Sequence, residues 1–172
     1  LLSAKIPKNY RESPLASILD LGCGTGLSGV WLRQFCDNLE GIDLSQPMLE
    51  IANKRCIYNK LNQSDITDYL SKEILDFDYF ISVDVFVYVG ELSNIFKLIK
   101  KRNKRNGKLV FTTEHTQKAS FSLRPSGRYA HSKTYIETLC KKFKYTLVDF
   151  SIENLRQDNH NMIKGGFYIL EF

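Results

Sequence analysis

ILDLGCGTGLSG, residues 18–29, joins an apolar strand to a glycine turn and then to a helix. Ile18, Leu19 and Leu21 suit a buried parallel strand, and Gly22, Gly24 and Gly26 turn the chain with no Cβ in the way of a ligand. Val30, Trp31, Leu32 and Phe35 supply the apolar stripe of a helix packed back on the sheet. The expected product is a nucleotide-cofactor loop that directs free N–H groups and the positive end of a helix dipole at its ligand.

Two cofactor classes use such a loop. Gly24, Gly26 and Gly29 fit the dinucleotide fingerprint G-x-G-x-x-G, which alone is a weak signal. Asp20, Gly22, Gly24 and Gly26 fit D-x-G-x-G-x-G, and in this DLGCGTG form the chain resembles the class I S-adenosylmethionine-dependent methyltransferases. A carboxylate inside the turn suits a ligand carrying an ammonium group and a sulfonium better than it suits a pyrophosphate. The resemblance implies S-adenosylmethionine as cofactor, held at the turn by Asp20, Gly22, Cys23, Gly24, Thr25 and Gly26.

Further along, Leu39–Asp43 reads as a second apolar strand ending in an acid, where a carboxylate can accept both ribose hydroxyls. Both cofactor classes predict that residue, and Leu44 and Met48 follow it as candidate contacts. Asp65 and Ile66 stand where the resembled family places its adenine contacts, the acid facing the exocyclic amine and its neighbour packing on the ring. The plainer reading of Asp65 is an N-cap opening a short helix at Thr67–Ser71. Asp84, after the fourth strand, completes the candidate cofactor residues.

At 172 residues the chain is expected to form a single domain across 1–172. Its hydrophobic share of 43% and charged share of 25% exclude disorder. No segment approaches the ~20 apolar residues of a membrane span, so no membrane partner is expected. The chain opens at Leu1 without the architecture of a signal peptide. The resembled family often carries a helical lid before the first strand, and part of that lid is expected to be missing. Cys23, Cys36, Cys56 and Cys140 lie far apart with no C-x-x-C pair, so no metal site or disulfide framework is expected; reduced thiols imply a cytoplasmic protein. Cys23 itself reads as a small filler of the turn.

The net charge of +5 and pI near 9.0 raise the question of nucleic acid. The excess is concentrated in Lys100, Lys101, Arg102, Lys104, Arg105 and Lys108, between a helix and a strand. Such a turn lies at the amino ends of the strands, opposite the side where ligands bind, so a solvated helix end is favoured over a polynucleotide site. Strands are expected near 17–21, 39–43, 60–63, 77–83, 108–113, 145–152 and 166–171, and helices near 27–36, 47–58, 67–72, 91–101 and 133–142. The last two strands, joined by a polar connection containing His160, should form an antiparallel hairpin. The fold class is therefore α/β, a doubly wound seven-stranded sheet that is parallel except for a reversed last strand.

Transfer from a sulfonium asks the protein to place a nucleophile in line with the methyl group, and acceptor residues should gather at the carboxyl ends of strands four and five. Asp84–Gly90, DVFVYVG, lacks the N/D-P-P-Y/F motif of exocyclic-amine methylases. Glu114–Ser132, EHTQKASFSLRPSGRYAHS, is long enough to be a functional loop and holds His115, His131, Glu114, Arg124, Arg128 and Tyr129. His131, Glu114 and Arg128 are the catalytic candidates, His131 for substrate contact or proton transfer or, as the residue before the Ser132 N-cap, for orienting the loop, and Arg128 for an acidic substrate group or a clamp with Glu114. Tyr88 and Tyr129 read as pocket walls. In DVFVYVG, Thr112–Glu114 and Gly127–Ser132 the chain is similar to a bacterial group of methyltransferases, some of which carry tetratricopeptide repeats. The function expected is methyl transfer to oxygen or nitrogen of a small molecule. An RNA or protein methyltransferase and a catalytically silent cofactor-binding module are the alternatives, and the oligomeric state is not legible.

Overall fold

The computed structural model describes residues 16–158 and 161–172. His160 and any N-terminal lid lie outside the described residues. Strand β1 (Ala16–Leu21) lies between β2 (Cys36–Asp43) and β4 (Tyr79–Ser82), parallel to both. β3 (Lys60–Gln63) and β5 (Lys108–His115) continue the parallel sheet on either side. β9 (Asn161–Glu171) runs antiparallel to β5 and to β8 (Thr146–Asp158), which gives the reversed strand the sequence implies.

The described sheet has nine strands, two more than the sequence suggests. The extra pair is the hairpin of β6 (Phe121–Leu123) and β7 (Tyr129–His131), cut from the segment read as a loop. β9 occupies one edge of β5 over residues 108–114, while β4 pairs with the other edge only over 108–111. β7 meets β5 at Glu114 and His115, so it takes the lane that β4 leaves after Ser82. The hairpin is thereby delivered to the carboxyl end of β4, beside the glycine turn.

The helices are α1 (Leu27–Leu32), α2 (Gln46–Asn53), α3 (Ile66–Lys72), α4 (Ser93–Arg102) and α5 (Lys133–Phe143). α1 stops four residues before expectation, because a 3₁₀ turn at Arg33–Phe35 returns the chain so that Cys36 can pair with Ala16. α2 stops at Asn53, where the N–H groups of Arg55 and Cys56 turn back to Ala52 and Asn53. That tightening, with Cys56 at a φ of 53°, frees Tyr58 to fold back over the glycine turn.

Strand alternation separates two cores. Leu19, Leu21, Phe80, Phe96, Phe111 and Tyr168 belong to one, and Ile18, Leu32, Leu39, Ile81, Val110 and Phe167 to the other. Three of the cations at and after the end of α4 are engaged locally: Arg102 donates to the carbonyls of Lys72 and Glu73, Arg105 pairs with Asp76 and Asp78, and Lys100 lies 5.6 Å over the Phe172 ring. Among the described residues no helix is long and apolar enough to cross a membrane.

Candidate active site

The glycine turn closes mostly on its own neighbours. Gly22, Gly24 and Gly26 take φ angles of 74°, 54° and 80°, where a Cβ is costly. The N–H groups of Gly22 and Cys23 both donate to the Ile42 carbonyl, at 2.8 and 2.9 Å, and that of Gly26 to Cys23 at 2.9 Å. Gly24 donates to a carboxylate oxygen of Asp43 at 2.8 Å. The expectation of free amides here is corrected: the turn runs beside the end of β2, and buried N–H groups take the acceptors within reach.

The turn is instead a rigid floor. The second carboxylate oxygen of Asp43 accepts the Ser45 N–H at 2.8 Å, so one side chain fixes both the turn and the start of α2. Each oxygen retains a further acceptor lone pair. Asp43 can therefore brace the loop and still meet a pair of hydroxyls.

Beneath the floor lies Asp20, 1% exposed, accepting from the Ser28 and Tyr58 hydroxyls at 2.7 Å each. Burial pushes its carboxyl up to about 6, against the lowering effect of those two hydrogen bonds. Asp20 is thus turned under the loop rather than toward a ligand's ammonium group, which corrects its expected role. Tyr58 was not singled out by sequence. Its ring lies across Gly26, Gly29 and Gly41; a Cβ at Gly29 would overlap the phenol, and one at Gly41 would lie 2.9 Å from the ring. An aromatic residue opposite three glycines was the available signal. Cys23 fills the space on the same side of Gly41, buried, with its thiol pushed up to about 12 by burial.

Above the floor opens a cleft of about 390 Å³. Gly22 forms its base, Asp43 and Asp65 bring carboxylates, and Leu44 and Ile66 add apolar surface. Val85, Tyr88 and Val89 close one side, and Val85 fits so tightly over Gly22 that a Cβ there would sit 2.5 Å from it. A Cβ at Gly24 would meet nothing within 4 Å. Asp65 does cap α3, accepting from Thr67 and Asp68 at 2.7 and 3.2 Å through one oxygen, and it also lines the cleft. Cys23, Gly24, Thr25, Gly26 and Met48 stand outside the lining: the Thr25 carbonyl accepts from Arg55 at 2.7 Å, and Met48 sits on the exposed side of α2. Asp84 precedes the cleft-lining Val85 without lining the cleft itself, at a φ of 58°, its N–H donating to the Thr112 hydroxyl at 2.8 Å.

On the other side, β5 and β7 pair Glu114 with Ala130 and His115 with His131. Alternation then sends Glu114 and His131 to opposite faces of the sheet, so the structure does not unite them in one catalytic group. His131 is fully buried, its Nε2 2.8 Å from the Gly90 carbonyl and its ring beside Phe121 and Tyr135. Burial holds its pKa below the ordinary histidine range. This is the packing that the loop-orienting reading of His131 calls for. Tyr129 reaches the same glycine, where a Cβ would lie 2.7 Å from its ring. DVFVYVG and GRYAHS are thus two halves of one contact, centred on Gly90. Arg128 extends from this hairpin to place its guanidinium 5.9 Å from the Tyr88 ring, on the cleft wall. Glu114 is buried at the strand end.

A family described as a methyltransferase domain matches residues 19–111. The chain is 31% identical over 124 residues to a ubiquinone biosynthesis O-methyltransferase of Rickettsia akari, a match covering 69% of this chain and 49% of that protein. It is 34% identical over 117 residues to phosphoethanolamine N-methyltransferase 2 of Caenorhabditis elegans, covering 63% of this chain and 26% of that one. The chain spans half or less of the length of these relatives. In three dimensions it is similar to an S-adenosylmethionine-dependent methyltransferase of Mesorhizobium loti, with a TM-score of 0.73, 16% identity, and 99% and 95% of the two chains covered.

Proposed function

This chain belongs to the methyltransferase-domain family, and from that premise we propose that it transfers a methyl group from S-adenosylmethionine to oxygen or nitrogen of a small molecule. The observation that carries the reading is the cleft itself, where Asp43 and the Asp65–Ile66 pair face a common space floored by Gly22. These residues fit an adenosine: Asp43 for the ribose hydroxyls, Asp65 for the adenine amine, Ile66 for the ring face, Leu44 for apolar cover. The open space at Gly24, where a Cβ would meet nothing within 4 Å, leaves room for the rest of the cofactor. When bound, S-adenosylmethionine supplies a methyl group on a cationic sulfur.

The protein's own part is placement. Val85, Tyr88 and Val89 wall one side of the cleft, and the hairpin of β6 and β7 brings the acceptor side against them. Holding the acceptor in line can lower the barrier by ~7–11 kcal/mol. Glu114, at the end of β5, is the carboxylate positioned to orient an acceptor hydroxyl, and Arg128 joins that side to Tyr88. Similarity to the Rickettsia ubiquinone biosynthesis O-methyltransferase supports oxygen attack on a small molecule. The likeness in DVFVYVG and GRYAHS to the bacterial group with tetratricopeptide-bearing members leaves the acceptor open.

Titration calorimetry tests the cofactor. S-adenosylmethionine and S-adenosylhomocysteine should bind and NAD should not, and Asp43→Ala should weaken S-adenosylhomocysteine by ~1–3 kcal/mol, the cost of unmet hydrogen-bonding partners. A heat of binding for NAD with none for the homocysteine product overturns the reading.

A further inference from the structure

Beyond the end of β5 a second cavity, of about 440 Å³, opens between the turn of the β6–β7 hairpin and the start of β9. Its polar lining includes Glu114, His115, Arg124 and Lys164, and Pro125 and Met162 are among its apolar walls. Thr112, whose hydroxyl accepts the Asp84 N–H beside the cleft, lies two residues before Glu114 on the same strand face, about 7 Å away. The cavity therefore lies at the end of β5, two residues beyond the one that holds Asp84, the chain neighbour of the cleft-lining Val85.

The two cations are set by backbone, although their side chains are exposed. Arg124-Pro125-Ser126-Gly127 forms the hairpin turn, with the Gly127 N–H on the Arg124 carbonyl at 2.9 Å and the Arg124 N–H on the Arg128 carbonyl at 2.8 Å. Proline in the second position and glycine, at a φ of 79°, in the fourth suit this turn. The guanidinium then donates to the His115 carbonyl at 2.9 Å, which orients its plane while using one of its five N–H donors. Lys164 precedes Gly165, where Leu155 and the Thr113 carbonyl occupy the space of the missing side chain, so β9 is drawn tightly onto β5. His115 is held below its ordinary pKa by burial and by Arg124. Two cations thus share the cavity with one carboxylate, Glu114, and a single negative charge on a ligand balances them. The apolar walls favour an organic acid over a bare inorganic anion.

We propose that this cavity binds the carboxylate end of the methyl acceptor, a small organic monoanion, with Arg124 and Lys164 as the residues that select it. The assignment deepens the methyl-transfer reading and rests on it. A matched fragment panel tests it by calorimetry, with and without S-adenosylhomocysteine: benzoate against benzamide, 3,4-dihydroxybenzoate against its amide, and decanoate against decanamide. At least one acid should bind about tenfold tighter than its amide, the scale of a charge-assisted contact. The preference should vanish in the Arg124→Gln/Lys164→Gln variant and weaken in Lys164→Gln, with melting temperature and S-adenosylhomocysteine affinity held. No acid preference across the panel, or one that survives in the double variant, overturns the proposal. Tighter binding of phenyl phosphate than of benzoate, or of an RNA oligomer dependent on the same two residues, overturns the monoanion assignment. Failure of S-adenosylhomocysteine to bind counts against the methyl-transfer reading alone, since the acid preference is also read without it.

Discussion

The cofactor cleft and the acceptor side of this molecule meet at Tyr88, yet they are built by different means. The cleft is made from strand ends close in sequence: a turn of glycines, an acid closing β2, an acid opening α3. Its geometry is largely backbone, with Gly22, Cys23, Gly24 and Gly26 bonded to the strand beside them or to the turn itself. The acceptor side is assembled from residues 84–90, 114–115, 121–131 and 162–165, and buried side chains hold it together. A motif in the first kind of region reports what touches the ligand. A motif in the second reports first what holds the pieces in place.

His131 gives the largest test of that distinction. If it anchors the hairpin to Gly90, His131→Ala leaves a cavity and an unmet buried carbonyl, and should cost on the order of 4 kcal/mol of stability. Chemical denaturation measures this directly. Unchanged stability with abolished methyl transfer would instead return His131 to the chemistry, and the acceptor side would then be legible in the way the cleft is.

The cleft has its own hidden support in Asp20, which makes stability depend on pH. Its folded carboxyl, near 6, lies above the unfolded value of 3.8, so the folded state holds the proton more tightly. The associated stability is complete below about pH 4 and is lost as pH rises through about 6, a change of about 3 kcal/mol. Denaturation curves at pH 4 and pH 7 should show this loss in the natural protein and not in Asp20→Asn. Tyr58→Phe removes a hydrogen bond to the charged form, so the fall should deepen and move to higher pH. A natural protein whose pH dependence equals that of Asp20→Asn would mean the carboxylate is solvated, and the floor would have no buried charge beneath it.

What could be read from sequence follows the same division. The seven main strands, the reversed last strand, and the places of Asp43, Asp65 and Ile66 are legible because apolar periodicity and the acids at strand ends are local signals. Asp20 was found for the right spacing and given the wrong direction, since burial by Ser28 and Tyr58 depends on partners 8 and 38 residues away. The β6–β7 hairpin reads as a loop in the sequence because three-residue strands carry almost no periodicity. His131 has two readings in sequence, reactive and loop-orienting, because a histidine's residue type is visible there and its burial is not.

The smallest expected effect asks whether the two regions are energetically joined at all. Arg128 sits over the Tyr88 ring at 5.9 Å, the ring lines the cleft, and the arginine belongs to the hairpin that His131 anchors. Tyr88 is 62% exposed, so the contact should contribute only ~0.5–1 kcal/mol, the range for a cation over an exposed ring. Single substitutions would confuse this with whatever else each side chain touches. A double-mutant cycle of Arg128→Ala and Tyr88→Leu isolates the pair, read in stability and again in S-adenosylhomocysteine affinity. Coupling in stability alone means the contact only fastens the hairpin to the wall. Coupling in both means that seating the hairpin also shapes the cofactor site, so that acceptor and cofactor would help one another bind. No coupling in either would leave the cleft and the acceptor side as neighbours joined through Gly90 and β5, with Tyr88 a wall and nothing more.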